Sequence, residues 1–338
     1  MSTTTTYPST APPPLQPKKR TGLKIIIGFL VIAVLAVGGA IAWLLWTDSQ
    51  IERIPEEELT SLVTEVAGAR TILVVGSDSR ENLPDELDQG NFGNFAGRRT
   101  DVIMLVNFVP GEGAQMLSIP RDLKVEIPEN GTNRINAAYA FGGPDLLVRT
   151  LRDNLGVEIN NYVEIDFAGF AAIVDSLDGV TIEFPYPARD VKSGLDVDAG
   201  VHTLNGAEAL AYARSRSYQE LQNGSWVGVD ANDIGRTQRQ QELLLTMFDQ
   251  VSSRSGAFNL PGFASTVAAN ITTDAGMDLN TIIGLGQSAL DFSSADLDAR
   301  TLPVVVSNEG GRSYVIRVEP DAQTTLDAFT AGEPFPSL

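Results

Sequence analysis

The 338-residue chain contains no cysteine and a single histidine, His202. The first absence excludes a disulfide framework and any thiolate metal site. The second removes most histidine-ligated metals and argues against a Ser-His-Asp nucleophile. His202, within Gly200-Val201-His202-Thr203, reads as structural. Positive charge is also scarce: 24 Lys and Arg stand against 43 Asp and Glu, a formal net charge of -19. The scarcity is uneven. The first 46 residues hold Lys18, Lys19, Arg20 and Lys24 and no acid, which leaves 20 bases against 43 acids, or -23, for residues 47–338. A body that acidic repels nucleic acid, so DNA or RNA binding is not expected. No internal repeat is visible. Gly76-Ser77-Asp78-Ser79 lacks the spacing of a nucleophile elbow or a P-loop, so no covalent nucleophile is assigned.

What is present begins with a Thr/Ser/Pro-rich tail over residues 1–17, too poor in apolar residues to bury a core and expected to be disordered. Residues 25–46 are apolar without one charge, long enough to cross a bilayer as a helix, which needs about 20 residues. Ala40-Ile41-Ala42 has the pattern of a signal-peptide cleavage site. The run exceeds a typical h-region of roughly 7–15 residues and continues through Trp43, so a retained membrane helix is the expectation. Bases before it, with Asp48 and Glu52 after it, put a cytoplasmic tail at residues 1–24 and the body outside the cell membrane. Residues 47–69 read as a juxtamembrane linker, with a short polar helix or linker over 51–69. Residues 70–338 read as one extracytoplasmic domain.

Within that domain, β-branched runs predict strands at 71–75, 102–108 and 114–119, the last two forming a hairpin through Pro110-Gly111-Glu112-Gly113. Residues 81–98 are a long Gly/Asn/acid-rich loop, and 185–200 a second, acidic one. Helices are expected at 145–155, 167–177, 205–213 (with Asn205 as N-cap), 234–251, 263–269, 279–290 and 321–329. Further strands are expected at 180–184, 301–306 and 314–318. Strands mixed with helices predict a three-layer α/β/α sandwich around a mixed central sheet.

Arginine clusters where this acidic chain can least spare it. Arg214, Arg216, Arg236 and Arg239 fall within one stretch closed by Gln240. In the helix at 234–251, Arg236, Gln240, Leu243, Leu244, Met247, Phe248 and Val251 share one face, basic at its start and apolar afterwards. Asn232 or Asp233 can cap it. Such a face suits an anion with an apolar tail. Periodicity alone favours the plainer reading, a core helix with solvated arginines at one end. Arg214-Ser215-Arg216, if extended, points both guanidiniums one way, or else simply meets the acids of the following loop. Asp78 follows one central strand and Asp101 precedes the next. Their ends coincide if the strands are antiparallel neighbours, and two carboxylates with a phosphate would suit Mg²⁺. Turn aspartates are the commoner alternative. Arg80, Arg98, Arg99, Arg121 and Asp122 lie at strand ends of the same system.

Together these segments resemble the LytR-CpsA-Psr family of envelope phosphotransferases. The resemblance is carried by Gly76-Ser77-Asp78-Ser79-Arg80, Arg99-Thr100-Asp101, Ser118-Ile119-Pro120-Arg121-Asp122 and Arg134-Ile135-Asn136-Ala137-Ala138-Tyr139. It continues through Asp175-Ser176-Leu177-Asp178-Gly179-Val180, Ala211-Tyr212-Ala213-Arg214-Ser215-Arg216 and Asp233-Ile234-Gly235-Arg236-Thr237-Gln238-Arg239-Gln240-Gln241. The segments span about residues 70–250, in the family's order. The resemblance implies an α/β/α sandwich holding a polyprenyl pyrophosphate, its lipid in an apolar tunnel. It implies transfer of a glycopolymer phosphate from that carrier to a peptidoglycan hydroxyl, with Mg²⁺ as cofactor. Asp78 and Asp101 would hold the metal and one would act as base. Arg99, Arg121, Arg214, Arg216, Arg236 and Gln240 would clamp the pyrophosphate, Arg80, Arg134 and Arg239 would add contacts, and Leu243, Leu244, Met247 and Phe248 would line the tunnel. Two departures stand out: the Asp78–Asp101 loop is long, and Ser215 and Asp178 replace more usual residues. A pyrophosphatase acting on the same lipid and a non-enzymatic lipid-phosphate-binding regulator are the alternative functions.

Overall fold

The computed structural model describes residues 39, 42–63, 70–77, 100–109, 113–230, 233–253, 260–278, 280–282, 284–285 and 296–337. The chain divides into residues 1–46 and residues 47–338. In the first unit, residues 42–46 are helical, and most of the expected membrane helix lies outside the described residues. Among the described residues no helix is long and apolar enough to cross a membrane.

The second unit opens with β1 (Glu52–Ile54), β2 (Arg70–Ser77), β3 (Thr100–Val109), β4 (Gly113–Ser118) and the hairpin β5 (Lys124–Ile127) and β6 (Gly131–Arg134). Helix α1 (Asn136–Leu155), β7 (Asn161–Asp166), α2 (Phe167–Ser176) and β8 (Val180–Phe184) follow. Then come β9 (Ala188–Asp190), β10 (Leu195–Val197), β11 (Gly200–Leu204), α3 (Gly206–Arg214), β12 (Gln219–Gln222) and β13 (Ser225–Gly228). The chain ends with α4 (Asp233–Ser253), α5 (Leu260–Ala269), β14 (Thr272–Asp274), β15 (Leu297–Thr301), β16 (Val304–Glu309), β17 (Arg312–Arg317) and α6 (Asp321–Ala331).

A mixed seven-stranded sheet in the order β1-β14-β7-β2-β3-β4-β15 forms the centre. The β2–β3 and β3–β4 pairs are antiparallel, while β2–β7 and β4–β15 are parallel. Strand residues alternate between faces. Leu73, Val75, Ile103, Leu105 and Leu117 join Leu147 and Leu151 of α1 and Leu326 and Phe329 of α6 in one core. Each such fully buried side chain contributes about 1.5–3 kcal/mol. Asn107, on the same face, donates to the Phe329 carbonyl. Ser118, on the other, accepts from Gln241 of α4. A second core gathers Val174, Val180, Ile182, Phe184, Ala188, Tyr212 and Leu243.

Several expectations need correction. Within 51–69, Glu52–Ile54 pairs with β14 at the sheet edge, and Glu56–Glu58 forms the expected short polar helix as a 3₁₀ turn, while residues 64–69 lie outside the described residues. The helix expected at 145–155 is present, set off by the non-helical backbone of Gly142 and Gly143, but a further helical segment that begins at Asn136 precedes it within α1. The acidic loop over 185–200 carries β9 and β10, and the expected loop before α4 carries the β12–β13 hairpin. The strand expected at 301–306 is two: β15 joins the main sheet and β16 pairs with β17. By contrast, Asn205 caps α3 as expected, in a reciprocal capping box with Glu208. The loop at 81–98 lies outside the described residues.

Candidate active site

The site grows from an irregularity between β2 and β3. Ser77 pairs with Thr100 and Gly76 with Val102, so Asp101 is the extra residue of a β-bulge. A bulge re-aims its side chain away from the regular alternation. Gly76 permits the close approach: a Cβ there would lie 2.9 Å from the Val102 Cβ. The ends of β2 and β3 therefore coincide at Ser77 and Thr100. Asp78, Arg80 and Arg99 lie outside the described residues.

From Asp101 a chain of ion pairs crosses the end of the sheet. Arg236 Nη1 of α4 is 3.8 Å from Asp101 Oδ1, and its Nη2 is 3.5 Å from the Asp101 carbonyl oxygen. Arg121, just beyond β4, donates to the same Asp101 Oδ1 through its Nη1. Arg121 Nε is 3.8 Å from Asp122 Oδ2, and Arg134 Nε is 3.4 Å from Asp122 Oδ1. Arg134 also donates to the Ser313 carbonyl at 2.8 and 3.1 Å, and forms the outer, exposed end of the chain.

The arginines at the start of α4 are not solvated, which overturns what periodicity alone favours. The Arg236 side chain is only 3% exposed and Arg239 is 6% exposed. Burying a guanidinium is costly unless it is paired and hydrogen-bonded. The helix is fixed there by two contacts: Gln241 Nε2 donates to Ser118 Oγ at 2.8 Å, and Gly235 packs so tightly that a Cβ would stand 2.1 Å from the Asp230 carbonyl oxygen.

One turn along α4, Arg239 Nη2 donates to the Ser215 carbonyl at 2.5 Å and Gln240 Nε2 to the Ala213 carbonyl at 3.1 Å. The Arg239 guanidinium also lies 4.8 Å from the Tyr218 ring centroid. These two residues thus brace the backbone that carries Arg214 and Arg216. Arg214 ends α3, with its guanidinium 4.4 Å from the ring centroid of Phe167. Phe167 directly follows Asp166, the partner of Ser77 in β7, so Arg214 stands over the same strand ends. Arg216 is exposed, and its N–H donates to Asp190 Oδ2.

Burial shapes the proton affinities around α4. It pushes the Arg239 guanidinium down, with the nearby Tyr212 and Tyr218 opposing the shift. Burial first, and then the charge of Glu220, pushes the Tyr218 hydroxyl up to about 12. Tyr212 is also raised, by burial and by its 2.6 Å hydrogen bond to Glu242.

The apolar half of α4 divides. Leu243 is 1% exposed within the second core and Met247 packs against that core. Leu244 and Phe248 are half-buried. Two contributors are not apparent from sequence patterns: Asp190, which is 1% exposed, and Phe167, the platform under Arg214. Gln241 closes the arginine-rich segment 233–241, yet its contact with Ser118 bridges elements far apart in sequence. Guanidiniums gathered at the end of a sheet, several of them shielded from water, are suited to gripping a phosphate or pyrophosphate.

Comparison with known proteins bears on that chemistry. A sequence model of the LytR_cpsA_psr family matches residues 47–330. The probable cell wall biosynthesis protein LcpB of Corynebacterium glutamicum is 34% identical over 233 residues, 68% of this chain and 53% of that protein. The chain thus spans about half the length of LcpB. The polyisoprenyl-teichoic acid–peptidoglycan teichoic acid transferase TagT of Bacillus subtilis is 29% identical over 284 residues, 79% of this chain and 81% of that one. Among solved structures, a LytR-Csp2A-Psr enzyme from Actinomyces oris superposes with a TM-score of 0.66 at 28% identity, covering 83% of this chain and 96% of its own.

Proposed function

The chain belongs to the LytR_cpsA_psr family, and we propose that it transfers a glycopolymer phosphate from a polyprenyl-pyrophosphate carrier to a peptidoglycan hydroxyl, releasing polyprenyl phosphate. The observation that carries the proposal is the buried Arg236 guanidinium held against Asp101 beside Arg121. The chain's similarity to TagT, named a teichoic acid–peptidoglycan transferase, supports a glycopolymer donor and a peptidoglycan acceptor.

In this reading the acceptor oxygen forms a bond to the phosphorus next to the sugar. The bond from that phosphorus to the lipid phosphate breaks, and the hydroxyl proton passes to a carboxylate, Asp78 or Asp101. Phosphoryl transfer asks little covalent chemistry of a protein, so catalysis rests on alignment and on neutralising charge spread over oxygens. Arg121 and Arg236 meet at Asp101 and would bear on the transferred phosphate. Arg99, Arg214 and Arg216 would grip the pyrophosphate, with Arg80 and Arg134 further out. Arg239 and Gln240 would act largely through the segment they brace. Leu243, Leu244, Met247 and Phe248 would accompany the lipid tail along α4.

Among the described residues no three acidic or histidine side chains converge as a metal cage. Mg²⁺ does not need one, since one or two carboxylates with substrate phosphate oxygens suffice. Asp101, partly exposed at the bulge, fits that donor set. It would hold the ion with Asp78, and the ion would supply further neutralisation of phosphate charge. The apolar run at 25–46 supports a single membrane helix, with the tail in the cytoplasm and an α/β/α catalytic body outside, within reach of both the lipid carrier and the wall.

Asp101→Asn tests the proposal. Release of polyprenyl phosphate in the presence of Mg²⁺ should be abolished, and unchanged turnover would overturn the mechanism.

A further inference from the structure

Asp190 ends β9, outside the main sheet, yet it is 1% exposed and both of its carboxylate oxygens are engaged. Oδ1 accepts from the Lys192 and Ser193 N–H groups at 2.9 and 3.4 Å, which closes its own turn. Oδ2 reaches across to the Arg-Ser-Arg segment. It accepts from Ser215 Oγ at 2.8 Å, Arg216 N–H at 2.8 Å and Ser217 N–H at 2.7 Å. The carbonyl groups of the same segment are taken from the opposite side, Ala213 by Gln240 and Ser215 by Arg239. Residues 213–217 are therefore pinned through their N–H groups by β9 and through their carbonyls by α4.

Beyond Arg214, residues 215–217 have no regular secondary structure and would otherwise sample many directions for their side chains. A buried carboxylate bound to N–H donors is a strong, directional anchor. It also carries a cost. A negative charge this close to an anion-binding site opposes an anionic ligand by Coulomb repulsion. Its presence makes sense if fixing the direction of Arg216 outweighs that opposition. We infer that Asp190 is a positioning residue for the arginine pair, setting the path from Arg214 to Arg216 so that Arg216 meets a pyrophosphate. The inference rests on the reading of the site as a pyrophosphate clamp.

The two possible roles of Asp190 predict opposite signs. If it were only a nearby charge, Asp190→Asn would tighten anion binding. As a positioning residue, the same change turns one acceptor into an NH₂ facing N–H donors and loosens the segment. The test is calorimetric binding of farnesyl pyrophosphate, with Mg²⁺, to the purified full chain in detergent. Asp190→Asn should weaken binding about tenfold, and Ser215→Ala, which removes a single hydroxyl donor, about threefold. In an Arg216→Ala background, Asp190→Asn should add less than about a twofold loss, because coupled residues are not additive. Should Asp190→Asn not fold, Ser215→Ala alone and in the Arg216→Ala background carries the same comparison. Binding left unchanged or strengthened by these changes, or losses that multiply fully, overturns the inference alone. A wild-type chain that does not bind farnesyl pyrophosphate overturns the reading of the site and this inference with it.

Discussion

Arg236 Nη1 stands 3.8 Å from Asp101 Oδ1, although the two residues lie 135 positions apart and on different layers of the fold. The contact joins the start of α4 to the bulge that ends the β2–β3 ladder. Its partner Arg121 converges on the same carboxylate oxygen from beyond β4. Three elements thus meet at one carboxylate, which makes their geometry interdependent.

Arg236→Lys should reduce transfer activity by at least about tenfold while leaving the fold intact. An ammonium keeps the charge near Asp101 but cannot reproduce the planar fork that engages two oxygens at once. Steady-state rates with far-ultraviolet circular dichroism check this, and near-wild-type rates would remove Arg236 from the clamp.

Arg239 leads to a different expectation, because it holds the Ser215 carbonyl and the Tyr218 ring. Arg239→Met should lower stability by about 1–3 kcal/mol through loss of the hydrogen bond to the Ser215 carbonyl and of the contact with Tyr218. Urea denaturation should show a lower midpoint with the slope unchanged.

Alkaline pH should unfold the protein through its buried tyrosines. Tyr218 titrates near 12 when folded, against an ordinary value of 10. Its unfolded form therefore loses its proton first. The stability tied to its burial is full below about 10 and is lost as pH rises through about 12. Tyr162 and Tyr212 are shifted the same way, chiefly by burial. Tyr218→Phe should flatten the fall in stability between those pH values, measured as denaturation midpoint against pH.

Much of this arrangement was legible in the chain. Continuous β-branched runs mark β2, β3 and β4, and Asp78 and Asp101 flank the neighbouring ends of two of these strands in the sequence. The helical repeat from Arg236 to Met247 defined α4. Hairpins such as β5–β6 and β12–β13 escaped because their strands are only four residues long. β5 buries Val125 and Ile127 in alternation, but over too short a run to stand out, and β6 and β12 are largely polar. The burial of Arg236 and Arg239 was also hidden. Periodicity reports which residues share a face, not whether a carboxylate and two carbonyls wait opposite it. Asp190 was invisible for a related reason: it acts on backbone N–H groups 26 and 27 residues away, and backbone groups leave no mark in a sequence.

The most direct test supplies the full chain, reconstituted in lipid vesicles, with a labelled polyprenyl-pyrophosphate-linked glycopolymer, Mg²⁺ and peptidoglycan, and then isolates the peptidoglycan. The account predicts covalently attached label together with released polyprenyl phosphate, both lost in Asp101→Asn. Release of free glycopolymer phosphate to water with unlabelled peptidoglycan would contradict it.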